Sequence, residues 1–178
     1  MRHPLIALVG PSGSGKSTLI KAALEKFPTQ LHPFMSLTTR PRRSAEDDLF
    51  YHLVTREDIK ERETKKQLLQ IAEYVGNIYG SDKKEINDLL ERFCLIGAFV
   101  EPTIHDLLRA GYMIFAIKIS PVDGGGFRDQ TRHSADQKRQ QIDIPIVAEI
   151  QNSFADGGWE QAQKEFLQVI KNIIERTS

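Results

Sequence analysis

Five consecutive apolar residues, Leu5-Ile6-Ala7-Leu8-Val9, form a short run with no polar interruption. This is the pattern of a strand buried on both faces of a parallel sheet. A glycine-rich turn follows, and Thr18 to Lys26 then carries apolar residues at helical spacing. Leu31 to Leu37 predicts a second strand, followed by a polar, arginine-rich loop from Thr38 to Asp48. Phe50 to Val54 alternates as a short strand. Thr55 with Asp58 three residues on predicts a capping box that starts a helix reaching about Lys65. Leu68 to Tyr74 reads as extended and is turned by Val75-Gly76-Asn77, and Ser81 is placed to cap a helix to Arg92. Phe93 to Val100 predicts a buried strand, Pro102 to Arg109 a helix stopped by Gly111, and Tyr112 to Ile119 another strand. In the last helix Trp159, Ala162, Phe166, Val169, Ile170, Ile173 and Ile174 fall on one face. Strands alternating with helices in this way predict an α/β fold, a parallel sheet covered by helices, with ligands at the carboxyl ends of the strands.

Length and charge narrow the class. A chain of 178 residues buries a sizeable core without staples, and no composition break or low-complexity linker marks a second domain. Twenty-four basic residues balance twenty-four acidic ones, so neither a nucleic acid nor a membrane surface is the expected partner. The first apolar run is too short for a signal segment or a membrane span, so the expected compartment is the cytoplasm. Cys94 is the only cysteine, set in an apolar run and read as a small core residue. The five histidines have no ligand spacing. The expected assembly is a monomer or a small homo-oligomer.

Chemistry enters at the turn after the first strand. Gly10-Pro11-Ser12-Gly13-Ser14-Gly15-Lys16-Ser17-Thr18 fills every fixed position of G-x-x-x-x-G-K-[ST] between a strand and a helix. Unpaired N–H groups and the positive end of the helix dipole converge there on an anion, and the glycines let backbone approach phosphate. Gly10, Ser12, Gly13, Ser14, Gly15, Lys16, Ser17 and Thr18 are the expected ATP-binding residues, with Lys16 on the β- and γ-phosphates and the Ser17 hydroxyl on Mg²⁺. A second segment, Ser36-Leu37-Thr38-Thr39-Arg40-Pro41-Arg42-Arg43, puts three guanidinium groups in four positions. Such a set suits bidentate recognition of phosphate. Beside a P-loop it would hold a second anion in line with the γ-phosphate. A third segment, Gly76-Asn77-Ile78-Tyr79-Gly80-Ser81, offers a tight turn, a phenol and a hydroxyl.

In this order and spacing the three segments resemble guanylate kinase. The resemblance implies a P-loop NTPase three-layer fold in which one domain has three parts. These are a core (1–33, 83–120 and 141–178), an inserted monophosphate-binding part (34–82) and an arginine-bearing lid (121–140). It implies transfer of the γ-phosphoryl of ATP to GMP or dGMP. Carried over by position, Arg40, Arg43, Tyr51 and Tyr79 would hold the acceptor's phosphate, while Ser36 and Ser81 would lie nearer the base. Lys16 and Arg40 would act in catalysis together with lid arginines Arg128, Arg132 and Arg139. If helical, these three fall within about 40° of one another on one face.

Two departures bear on the acceptor. Where the family carries a glutamate that accepts hydrogen bonds from guanine, this chain has Gln70, which offers one acceptor and one donor in place of two acceptors and so can pair with guanine's N–H and O6 or with an adenine edge. Where the family reads aspartate–hydrophobic–aspartate on a buried strand, the alignment puts Gly97 and Phe99, with Glu101 as the nearest carboxylate on the same side. Weakened guanine selectivity is expected, with partial recovery in a Gln70→Glu, Phe99→Asp double variant. The alternatives are a kinase of the same fold with a different or broader acceptor, and a non-catalytic interaction module. A GTP-hydrolysing switch would carry an N-K-x-D stretch, which is absent.

Overall fold

The computed structural model describes residues 2–122, 144–153 and 157–177, with Glu101 described in its backbone only. Strand β1 (Leu5–Val9) is buried at all five positions. It lies at the centre of a parallel sheet of order β2-β7-β1-β8-β9, in which β2 is Leu31–Pro33, β7 Cys94–Ala98, β8 Ile114–Pro121 and β9 Ile146–Asn152.

Alternation along β1 divides the core. Ile6 and Leu8 join Leu19, Ile20 and Ala23 of helix α1 (Lys16–Lys26) and Phe166 and Ile170 of the last helix, α5 (Gly158–Thr177). Leu5, Ala7 and Val9 face the other way, toward Ile86 and Leu90 of α3 (Lys83–Leu90) and Ile104 and Leu107 of α4 (Glu101–Arg109). Side chains of a strand alternate between the two faces of its sheet, so one five-residue strand nucleates both halves of a helix–sheet–helix sandwich.

A second sheet, of order β4-β3-β6-β5, is built from residues 36–82 alone: β3 (Ser36–Thr38), β4 (Tyr51–Leu53), β5 (Leu68–Tyr74) and β6 (Asn77–Asp82). Helix α2 (Arg56–Thr64) carries the expected capping box: the Thr55 hydroxyl accepts from the Asp58 N–H at 3.0 Å, and the Asp58 carboxylate accepts from the Thr55 N–H at 2.9 Å.

Local boundaries differ from expectation in five places. The single strand expected over 31–37 is two strands in two sheets. The Phe34 N–H donates to the Ile96 carbonyl at 2.8 Å as the last bond to β7. Its ring is buried at 4.6 Å from Phe99, and the chain then crosses to β3. Ser81 does not cap a helix. It remains in β6, paired with Gln70, and the carboxylate of Asp82 takes the cap by accepting from the Lys84 and Glu85 N–H groups. Strand β6 was foreseen only as a turn. Strand β9 has no counterpart among the expected elements; Pro145 stands immediately before it, where a proline removes no ladder bond. The expected loop 38–48 contains a 3₁₀ turn, Ala45–Leu49.

Candidate active site

The turn after β1 is shaped for an anion. Gly10 has φ +145°, and a β-carbon there would lie 2.2 Å from the Ile119 carbonyl oxygen of β8, which no repacking accommodates. Gly15 is the N-cap of α1 at φ +92°, and no side chain caps the helix. With no side-chain cap, this helix start has the backbone geometry that favours an anion. The Lys16 ammonium donates to the Gly10 and Pro11 carbonyls at 2.8 and 2.6 Å and to Ser14 Oγ at 3.3 Å, so it spans the mouth of the loop.

The loop is braced from behind by residues the sequence reading did not single out for it. Asn152, fully buried at the end of β9, donates through Nδ2 to the Ser14 carbonyl at 2.9 Å. Trp159 of α5 lies 3.1 Å from where a Gly15 β-carbon would stand. Asn152 and Ser14 are 138 positions apart, and no local signal links them.

Glu46, at the end of the arginine-rich segment, forms a solvent-exposed ion pair with Lys21 of α1, the helix that follows the loop. Register places Ser36 opposite Tyr51 across β3–β4, and Thr38 opposite Tyr79 across β3–β6. The Tyr51 and Tyr79 rings are 6.1 Å apart, and the Arg40 guanidinium sits 5.0 Å above the Tyr51 ring. Arg40, Tyr51 and Tyr79 are thus brought together.

Arg40 is 6% exposed and donates to Asp47 at 2.7 Å. The sequence reading did not anticipate this carboxylate partner. Burial works against the Arg40 charge, but the bond to Asp47, the charge of Asp47 and the Tyr79 and Tyr51 phenols together outweigh it, so its pKa stands above the usual arginine value. Burial likewise works against the Asp47 charge. Bonds from Arg40 and the Arg43 N–H outweigh it and hold the carboxyl below the usual aspartate value. Burial raises the Tyr51 phenol. The Arg43 side chain is exposed.

Gln70 of β5 and Ser81 of β6 face each other and are hydrogen-bonded at 2.8 Å. At the end of β7, a β-carbon on Gly97 would meet Phe34 at 2.9 Å and Phe99 at 3.0 Å. Phe99 is 9% exposed and packed edge-on against Phe34. The aromatic pair fills the space that a side chain at 97 would need, and an aspartate in place of Phe99 would be buried against Phe34 in the apolar core. Among the described residues no group of three or more His, Cys, Asp or Glu is arranged to hold a metal. The exposed Ser17 hydroxyl in the first turn of α1 fits Mg²⁺ held jointly with phosphate oxygens. Arg128, Arg132 and Arg139 lie outside the described residues, as does the Glu101 side chain.

Comparison with known proteins agrees with this architecture. The family model described as guanylate kinase matches residues 1–155. A guanylate kinase of Clostridium perfringens (strain 13 / Type A) is 38% identical over 90 residues, covering 51% of this chain and 42% of the relative. One of Streptococcus mutans is 36% identical over 139 residues, covering 72% and 62%. The chain spans about half the length of the curated relatives it matches. The crystal structure of guanylate kinase from Anaplasma phagocytophilum superposes with a TM-score of 0.69 at 16% identity, covering 96% of this chain and 86% of that one, which is a likeness of fold. With the P-loop, the helix–sheet–helix core and a family model matched over residues 1–155, the chain belongs to the guanylate kinase family.

Proposed function

We propose that this chain is an ATP-dependent nucleoside monophosphate kinase that passes the γ-phosphoryl of ATP to GMP or dGMP. The observation that carries the reading is the P-loop, in which a helix start without a side-chain cap, two glycines that tolerate no β-carbon and the Lys16 ammonium folded over the loop carbonyls lie together after β1. A pure interaction module has no use for that lysine. The Lys21–Glu46 ion pair places the end of the arginine segment near the P-loop helix, in keeping with donor and acceptor sites on the same side of the molecule.

In this mechanism Lys16 leaves the loop carbonyls for the β- and γ-phosphates. Arg40, with Arg43, Tyr51 and Tyr79, fixes the acceptor phosphate so that its oxygen attacks in line, and the lid residues Arg128, Arg132 and Arg139 offset charge on the group in transit. Mg²⁺, held through Ser17, would neutralise phosphate charge. Phosphoryl transfer needs no covalent intermediate on the protein. The cytoplasm is the proposed compartment, supported by the need for ATP and by a lone cysteine that is buried and free. No helix among the described residues is long and apolar enough to cross a membrane.

A coupled ADP-release assay with ATP and each common ribo- and deoxynucleoside monophosphate tests the proposal. Lys16→Ala should lower turnover by on the order of a thousandfold, as loss of comparable electrostatic stabilisers does, with an unchanged unfolding midpoint. Phosphorylation at the original rate in that variant would reject the mechanism. A broader acceptor range is the second reading, and Gln70 is the observation that favours it.

A further inference from the structure

The two faces of the second sheet have different neighbours. Alternation along β3, β4 and β6 puts Ser36, Tyr51, Tyr79 and Ser81 on one face and Leu37, His52, Gly80 and Asp82 on the other. On that second face Leu37, His52 and Asp82 line a cleft of about 680 Å³, which helix α3 of the core also lines through Glu85, Asp88 and Leu89. The chain joins this sheet to the core at two places, Phe34-Met35 between β2 and β3 and the step from Asp82 of β6 into Lys83 of α3. An inserted part attached by two crossings beside a cleft is an arrangement in which hinge motion occurs.

Asp82 and His52 tie the inserted part to α3 in different ways. The Asp82 carboxylate is fully engaged: Oδ1 accepts from the Lys84 and Glu85 N–H groups at 3.0 and 3.1 Å, and Oδ2 accepts from Arg62 of α2 at 2.6 Å. It ends β6 and caps α3 at once, with its side chain 16% exposed, so it is a fixed point between the two parts. His52 instead reaches across the cleft to a single group, Nε2 lying 3.0 Å from Glu85 Oε1, between residues 33 positions apart. These side chains are 45% and 33% exposed. An ion pair so open to water shifts an equilibrium by only about two- to fivefold, and it parts and re-forms easily. Movement of the sheet toward an acceptor on its Tyr51–Tyr79 face carries His52, on the opposite face, away from α3, so the pair opens as that movement proceeds.

We propose that His52 and Glu85 are positioning residues for the acceptor: their ion pair holds the second sheet back against α3 in the empty chain, and its release accompanies closure on the monophosphate. The inference rests on the reading that the Tyr51–Tyr79 face holds the acceptor phosphate. It makes acceptor affinity depend on two residues that do not touch the acceptor, because part of the binding free energy is used to shift the sheet from the held-back to the closed arrangement.

The test is calorimetric binding of GMP and of ATP to the whole chain, beside kcat and KM for each. His52→Ala and Glu85→Gln should each tighten GMP binding by about two- to fivefold, with Kd for ATP unchanged. The double variant should do no more than either single one, since both remove the same contact. His52→Arg, which keeps a cation opposite Glu85, should return Kd for GMP to that of the unmodified chain. Cys94 is buried and its thiol is pushed up by burial, so cysteines introduced at positions 52 and 85 are the ones that react with a maleimide. A short bismaleimide between them should weaken GMP binding by on the order of tenfold or more while ATP binding is kept; a long flexible linker between the same cysteines should leave both unchanged. Weaker GMP binding in His52→Ala, equal changes for GMP and ATP, or full GMP affinity in the short-linked chain would overturn the proposal. GMP binding that responds as expected without turnover would sustain it and reject the kinase reading, whereas no GMP binding to any form would overturn both.

Discussion

Arg40 and Asp47 form a buried charge pair in the segment proposed to clamp the acceptor, and each depends on the other. Asp47 holds the guanidinium in place through one oxygen while its second oxygen takes the Arg43 N–H at 2.7 Å. An ammonium on a lysine stem reproduces neither the planar fork nor the stacking on Tyr51. Arg40→Lys should therefore raise KM for the monophosphate by on the order of tenfold, with KM for ATP held within about twofold. Equal changes in both constants would show that Arg40 serves the fold and not the acceptor. The same pair predicts a pH dependence. The Asp47 carboxyl is held below its usual value in the folded chain. Its stabilising contribution is therefore fully present above the unfolded value, near 4, and is lost as pH falls through the lower folded value. Urea midpoints at neutral pH and near pH 3 should show a smaller acid-induced drop in Asp47→Asn than in the unmodified chain; an identical drop would contradict the assignment.

At the scale of elements, the features visible in advance are those whose cause is local. The Thr55–Asp58 capping box and the apolar face of α5 rest on partners three or four positions away, and both stand as expected. The break between β2 and β3 was not visible, because Leu31 to Leu37 is continuously compatible with a strand and only the seat of Phe34 against Phe99 decides where the chain leaves the core sheet. The β5–β6 hairpin holds a different lesson. Its two turn residues both have positive φ, Val75 at +49° and Gly76 at +71°. A β-branched side chain is poorly suited to that conformation, which Asn tolerates. Val75 is exposed and the turn is tied to α2 by Arg56 donating to the Gly76 carbonyl. Val75→Asn should stabilise the chain by about 1 kcal/mol, seen as a higher urea midpoint at unchanged slope. A lower midpoint would mean that the Val75 side chain contributes more by packing than it costs in backbone strain.

Across the whole molecule, Phe34 and Phe99 join the start of the second sheet to the end of β7, inside the cluster that includes Leu5, Ile86 and Ile104. The expectation that Phe99→Asp would restore a base contact meets this packing: it would remove an aromatic partner and bury a carboxylate among apolar groups. Phe99→Asp should cost about 3–5 kcal/mol of folding stability, measured by urea denaturation. A loss below about 1 kcal/mol would show that position 99 is free to carry an acid. Long-range contacts of this kind also set the P-loop, whose Gly15 is closed in by Asn152 and Trp159 from the far end of the chain.

The amino-acid sequence alone determined the P-loop and its flanking strand and helix, the alternating α/β order, the capping box and the family. Each depends on residue types at short, fixed separations, where backbone geometry leaves few choices. Tertiary structure alone decided that Asp47 partners Arg40, that Asn152 braces Ser14, that Ser81 stays in a strand and turns its hydroxyl to Gln70, and that Phe34 and Phe99 fill the space beside Gly97. These contacts depend on strand register and on which side chains reach a shared volume first. A change of one residue in register exchanges every inward side chain for its outward neighbour, so no local pattern specifies them.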